Sequence, residues 1–98
     1  MENTHPPLEA AIAAFGSPEA VADICGRHRT TLYGWKRASV DRPAGDLPST
    51  AIMRKLLAHA RAHGIPLTPE HLIFGASAAE VEHLAARLRP AADDRKAA

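Results

Sequence analysis

Apolar and polar positions along the chain recur with the 3.6-residue period of α-helices, interrupted by proline, glycine and small hydroxyl residues that mark starts and stops. Leu8, Ala11, Ile12 and Phe15 fall at helical spacing after Pro6-Pro7, which predicts a first helix over residues 7–15 ended by Gly16. Ser17-Pro18-Glu19 supplies a hydroxyl that can accept a backbone N–H, a proline for the first helical position and an acid for the positive first turn. A second helix is therefore expected from there to Ile24 or Cys25, with Val21, Ala22 and Cys25 inward. Gly26 interrupts the pattern briefly, and helical spacing resumes over about 28–37, with Leu32 and Trp35 on the buried side. Residues 39–48 contain two prolines and a glycine and show no period, so they form a loop.

Ser49 or Thr50 caps the next predicted helix, whose Ile52, Met53, Leu56, Leu57 and Ala60 make one wide apolar stripe that stops near His63-Gly64. Thr68-Pro69-Glu70 repeats the starting punctuation for a short helix in which Leu72, Ile73 and Phe74 are expected to cover the core. Ser77 can cap a last helix with Val81, Leu84, Ala85 and Leu88 at i, i+3, i+4 and i+7, ended by Pro90. The expected organisation is a flexible N-terminus over 1–6, a helical body over 7–76, a C-terminal helix over 77–89 and a disordered tail over 90–98. No internal repeat is present.

Composition narrows the class. Ninety-eight residues make one domain with one modest core, which excludes a large enzyme fold of helices layered on a parallel sheet. Four aromatics and an alanine content of about a fifth disfavour an all-β module, because alanine favours helices and aromatics are enriched in strands. The expectation is an all-α, compact domain of five to six helices. The longest uninterrupted apolar run, Ala10–Phe15, is six residues and its strongly apolar part, Ile12–Phe15, about four, far short of the roughly 20 that cross a bilayer, and MENTHPP lacks the features of a signal peptide. A cytoplasmic protein with no membrane partner is expected. Cys25 is the single cysteine, so neither an intrachain disulfide nor a cysteine-based zinc site can form.

The net charge of +1 hides an asymmetry. Residues 1–26 carry Glu2, Glu9, Glu19 and Asp23 and no Lys or Arg. Residues 27–63 carry Arg27, Arg29, Lys36, Arg37, Arg42, Arg54, Lys55 and Arg61 against Asp41 and Asp46, a net of +6. A basic block with so abrupt an edge is what a polyanion-binding face needs, since phosphate neutralisation supplies most sequence-independent affinity for DNA.

Two short helices separated by a glycine-containing turn, the second of them basic, are the sequence form of a helix-turn-helix. Val21 and Ala22 lie under the expected crossing, Gly26 permits the turn, and Cys25, Leu32 and Trp35 complete its packing. The opposite side of residues 28–37 then presents His28, Arg29, Thr30, Tyr33, Gly34 and Arg37 to a major groove.

The segment PEAVADICGRHRTTLYGWKR resembles the helix-turn-helix of small bacterial and phage regulators of the Cro and lambda-repressor-like superfamily. The later stretch LPSTAIMRKLLAHARAHGIPLTPEHLIFG is similar to the end of YdaS-like short regulators. The resemblance covers about residues 8–75. It implies a five-helix, lambda-repressor-like DNA-binding domain acting as a dimer on an inverted repeat. Arg27 departs from the pattern, which more often has a small aliphatic residue there; its stem can cover apolar surface while its head reaches a phosphate.

By this analogy and by geometry, His28, Arg29, Thr30 and Tyr33 are the candidate base-contacting residues. Arg29 suits a guanine, and Thr30 a thymine methyl or an adenine. Ser17, Arg27, Thr31, Lys36 and Arg37 are the candidate phosphate contacts, which fix register without reading sequence. The stripe of Val81, Leu84, Ala85 and Leu88 is the candidate dimer interface. The function expected is a sequence-specific transcriptional regulator of double-stranded DNA, a dimeric repressor of phage or phage-derived genes. The alternative is an antitoxin or adaptor-type module that binds a protein partner and uses DNA at most for autoregulation.

Catalytic signals are missing: no serine lies in a nucleophile elbow, no glycine-rich loop follows a strand, and the carboxylates are scattered. His59 and His63 stand at i, i+4, a spacing that can hold a metal, but no further ligand follows at a matching interval. Neither an enzymatic role nor a metal or cofactor is expected.

Overall fold

A computed structural model describes residues 4–40 and 42–86. In chain order these form β1 (Thr4–His5), α1 (Pro7–Phe15), α2 (Pro18–Cys25), α3 (Arg29–Trp35), α4 (Thr50–Ala62), α5 (Pro69–Phe74), β2 (Ala76–Ser77) and α6 (Ala78–Ala86). The architecture is mostly helical, as expected, with a two-stranded antiparallel sheet added to six helices.

Local chemistry accounts for the helix boundaries. Gly16 adopts a left-handed conformation at φ 106° and returns its N–H to the Ile12 carbonyl at 2.7 Å, ending α1. The Ser17 hydroxyl accepts the Ala20 N–H at 3.1 Å, with Pro18 at the first helical position of α2. Ser49 accepts the Ile52 N–H in the same way at the start of α4. Thr68 and His71 form a reciprocal box: the Thr68 hydroxyl accepts the His71 N–H, and His71 Nδ1 accepts the Thr68 N–H.

One core joins all six helices. Leu8, Val21, Cys25, Leu32, Leu56, Leu72 and Leu84 are its largest fully buried side chains. α1 runs through its middle, packed against α2, α5 and α6. That position explains why Ala10 and Ala14 are buried along with Leu8 and Ala11, whereas Ile12 and Phe15 are only partly covered. Small side chains let neighbouring helices approach α1 from more than one side.

Three expectations are corrected. Thr4 and His5 do not belong to a flexible arm: they pair in register with Ser77 and Ala76. Ile73 and Phe74 do not cover the core; they are 52% and 73% exposed, because α5 is six residues long and buries only the side carrying His71 and Leu72. Leu84 is not free to meet a second copy, since it is 1% exposed within its own domain, where α6 packs on α1. Val81 also leans on this core, and Ala85 is half-buried. Leu88 and the tail over 90–98 lie outside the described residues.

α6 opens on a second reciprocal box, absent from the sequence reading beyond Ser77 itself. The Glu80 carboxylate accepts the Ser77 N–H at 2.8 Å, and the Ser77 hydroxyl accepts the Glu80 N–H at 3.2 Å. The Ser77 N–H foremost, then the Ser77 hydroxyl and the nearby His71, holds the Glu80 carboxyl below the ordinary glutamate range. A depressed carboxylate contributes stability that is present above the unfolded-state value and lost as pH falls through the folded one. Glu80→Gln should therefore melt below the parent chain at neutral pH, and the gap should close on acidification through the carboxylate range. Paired thermal melts from pH 7 to pH 3 measure this, and a gap constant with pH would contradict it.

Candidate functional site

The site is built on α3 and the turn that leads into it. α2 ends at Gly26, which sits at φ 70°, and the Arg27 N–H closes the turn onto the Ala22 carbonyl at 2.9 Å. Val21 and Ala22 are buried beneath the point where α2 and α3 pack, and Leu32 and Trp35 are buried from the other side. Cys25 completes this layer. Burial pushes its thiol up, against the weaker pull of Lys55 and Arg27, so it packs as a small apolar group.

With Leu32 and Trp35 inward, the 100° step of a helix places Thr30, Tyr33, Gly34 and Arg37 on the opposite side, and all four are exposed. Arg27, His28, Arg29, Thr31 and Lys36 are exposed around them. α3 itself carries no acidic residue. The observed helix is shorter than the expected span of 28–37. His28 is its N-cap, Lys36 its C-cap, and Arg37 closes a final tight turn onto the Gly34 carbonyl at 3.2 Å.

Several of these side chains already have local partners. His28 Nδ1 accepts the Thr30 N–H at 3.3 Å and lies 3.0 Å from the Thr30 hydroxyl. That cap leaves Nε2 as the ring atom able to face outward. Arg29 Nη1 lies 3.6 Å from a carboxylate oxygen of Glu19 on α2, both side chains being about half exposed. Exposed pairs of this kind contribute on the order of 1 kcal/mol or less, so the contact aims Arg29 without locking it. Lys36 Nζ stands 5.4 Å from the centre of the Tyr33 ring, within range of a cation–π contact. The Ser17 hydroxyl oxygen is engaged in its cap, and Ser17 itself is half-buried.

Two cations of the basic block serve the fold. Arg42 spans the loop after α3: its Nη1 donates to the carbonyls of Trp35 at 2.9 Å, Asp46 at 3.1 Å and Pro43 at 3.4 Å, and its Nη2 to that of Gly34 at 3.3 Å. A guanidinium there satisfies carbonyls at the C-terminal end of α3, where the helix dipole favours a cation. Lys55 Nζ donates to the Cys25 carbonyl at 3.4 Å, the corresponding end of α2. The only sequence sign of either role is a cation held near a helix C-terminus, and for Lys55 that proximity exists only once α4 has packed on α2. Glu19 is the other participant that the sequence reading did not include.

His59 and His63 stack on one face of α4, ring centres 4.3 Å apart, with the Phe15 ring edge-on to His59 at 5.5 Å. Among the described residues no group of three or more His, Cys, Asp or Glu side chains is placed to hold a metal ion. Among them, too, no helix is long and apolar enough to cross a membrane. Comparison of the chain with family models, with curated proteins and with solved structures returns no match.

Proposed function

We propose that this protein is a sequence-specific regulator of transcription that binds double-stranded DNA, with α2 and α3 as a helix-turn-helix and α3 lying in the major groove. The observation that carries the reading is the two-sided character of α3. Leu32 and Trp35 seat it in the core, while its other side is exposed, carries no carboxylate of its own and is ringed by Arg27, Arg29, Lys36 and Arg37, with Glu19 of α2 beside Arg29. A polar, cationic helix surface held rigidly by its apolar side suits groove recognition. The short regulators that the sequence resembles make a dimeric repressor of phage or phage-derived genes, on an inverted repeat, the specific form of this reading.

Arg29 and Thr30 are assigned to base edges, with Tyr33 beside them and His28 contributing through Nε2. Arg27, Thr31, Lys36 and Arg37 are assigned to phosphates, with the Ser17 hydroxyl proton available for another. Arg29→Ala should lose about 1–3 kcal/mol on the preferred duplex and relax selectivity at one base position, whereas Lys36→Ala should weaken all sequences alike. Equal losses for Arg29→Ala on preferred and random DNA would refute its assignment. The function itself is tested by fluorescence anisotropy against the DNA upstream of its own coding sequence and a scrambled duplex at two salt concentrations. Preference for one sequence by about 10³-fold or more is the expected result.

The alternative is an antitoxin or adaptor-type module that binds a protein. The observation in its favour is the exposed pair Ile73 and Phe74, an apolar spot on α5 that DNA recognition by α3 does not use. Absence of DNA binding at low salt would favour this alternative.

A further inference from the structure

We infer that Gly34 sets the closeness of the complex: it lets the bound duplex come flush against the backbone of α3 at the centre of the exposed face. The inference rests on the DNA-binding reading and specifies how that face meets its partner.

Of the six glycines in the chain, Gly16, Gly26, Gly45, Gly64 and Gly75 have positive φ, where a side chain is strained. Gly34 does not; it lies inside α3, where glycine lowers helix stability through its backbone entropy. Packing among the described residues does not require it either. A Cβ added at Gly45 or Gly75 would run into Pro6 or the His5 backbone, whereas one added at Gly34 would meet nothing within 4 Å among the described residues. Neither local conformation nor neighbouring atoms of the domain call for a glycine at this position.

What the missing Cβ clears is the outside. Gly34 follows Thr30 by four residues and precedes Arg37 by three, so these three share one stripe, with exposed Tyr33 on its flank. Thr30 has a short side chain, so its hydroxyl and methyl reach a base edge only if the helix axis approaches closely. A methyl at Gly34, one turn along the same stripe, would hold the helix off at that point. The exposed cations assigned to phosphates, Arg27, Lys36 and Arg37, have stems long enough to span a wider gap, so loss of closeness should fall chiefly on base reading by the short Thr30.

The test uses the full chain, a duplex enriched from a randomised pool by the wild-type protein, and a scrambled control. Gly34→Ala should melt at or a few degrees above the wild type, since alanine is the better helix former and has room. Its affinity for the enriched duplex should fall at least tenfold, while affinity for the scrambled duplex changes less than threefold. A wild-type preference for the enriched duplex that Gly34→Ala keeps within twofold would overturn the inference and leave the DNA-binding reading intact. A clear fall in melting temperature would overturn it as well, by showing that the fold needs the glycine. Failure of the pool to yield any preferred duplex would remove the DNA-binding reading and this inference together.

Discussion

Gly75→Ala should destabilise the domain by about 3 kcal/mol or more, because two independent penalties fall on one methyl group. Gly75 caps α5 at φ 89° and ψ −166°, a region that is essentially closed to residues with a Cβ. Any Cβ there would also overlap the His5 carbonyl oxygen. Relief requires moving β1, and the pairing of Thr4 with Ser77 and of His5 with Ala76 moves with it. Against a total stability of roughly 5–15 kcal/mol for a domain of this kind, that is a large share. Urea titration of the variant should show a lower midpoint with an unchanged slope. A midpoint equal to the parent's would mean that β1 is not held against Gly75 in solution.

Leu32→Ala should cost about 2–5 kcal/mol, the range for removing a fully buried leucine, and, on the function proposed above, should abolish tight DNA binding as well. Leu32 is 0% exposed and, with Trp35, fixes how α3 is rotated on the core. A cavity beneath it frees that rotation, so Arg29 and Thr30 lose their common aim. Leu72→Ala separates the two effects, because Leu72 is equally buried but lies on α5. It should lose comparable stability and yet bind DNA normally at temperatures where it is folded. If both variants lose binding in proportion to stability alone, Leu32 has no part in aiming α3.

The helix starts and stops were legible because each depends on two or three adjacent residues. Ser17-Pro18, Ser49 and Thr68-Pro69 mark starts, and Gly16, Gly26 and Gly64 mark stops, whatever the rest of the chain does. The outward side of α3 was legible for the same reason, since burying Leu32 and Trp35 leaves Thr30, Tyr33 and Gly34 outside. What could not be read depends on long-range approach. A strand of two residues has no periodicity to detect, and β1 exists only because β2, more than seventy residues later, returns to it. Leu84 reads equally well as a seam for a partner or for α1. Arg42 counts as a surface cation until the loop folds its head onto the carbonyls of α3, and the pairing of Glu19 with Arg29 needs the crossing of α2 and α3.

The arrangement of α1 has a consequence for the chain as it is made. Of the described helices α1 is the first to be synthesised, yet two of its largest contact surfaces are with α5 and α6, near the other end of the described fold. At roughly 5–20 residues per second, the ribosome needs on the order of 3–12 s to add the residues that separate α1 from α6. During that interval Leu8 and the alanines of α1 can be covered by α2 but not by their later partners. A helix made early thus waits for partners made late, and a nascent chain halted before α5 leaves the α5- and α6-facing apolar surface of α1 uncovered.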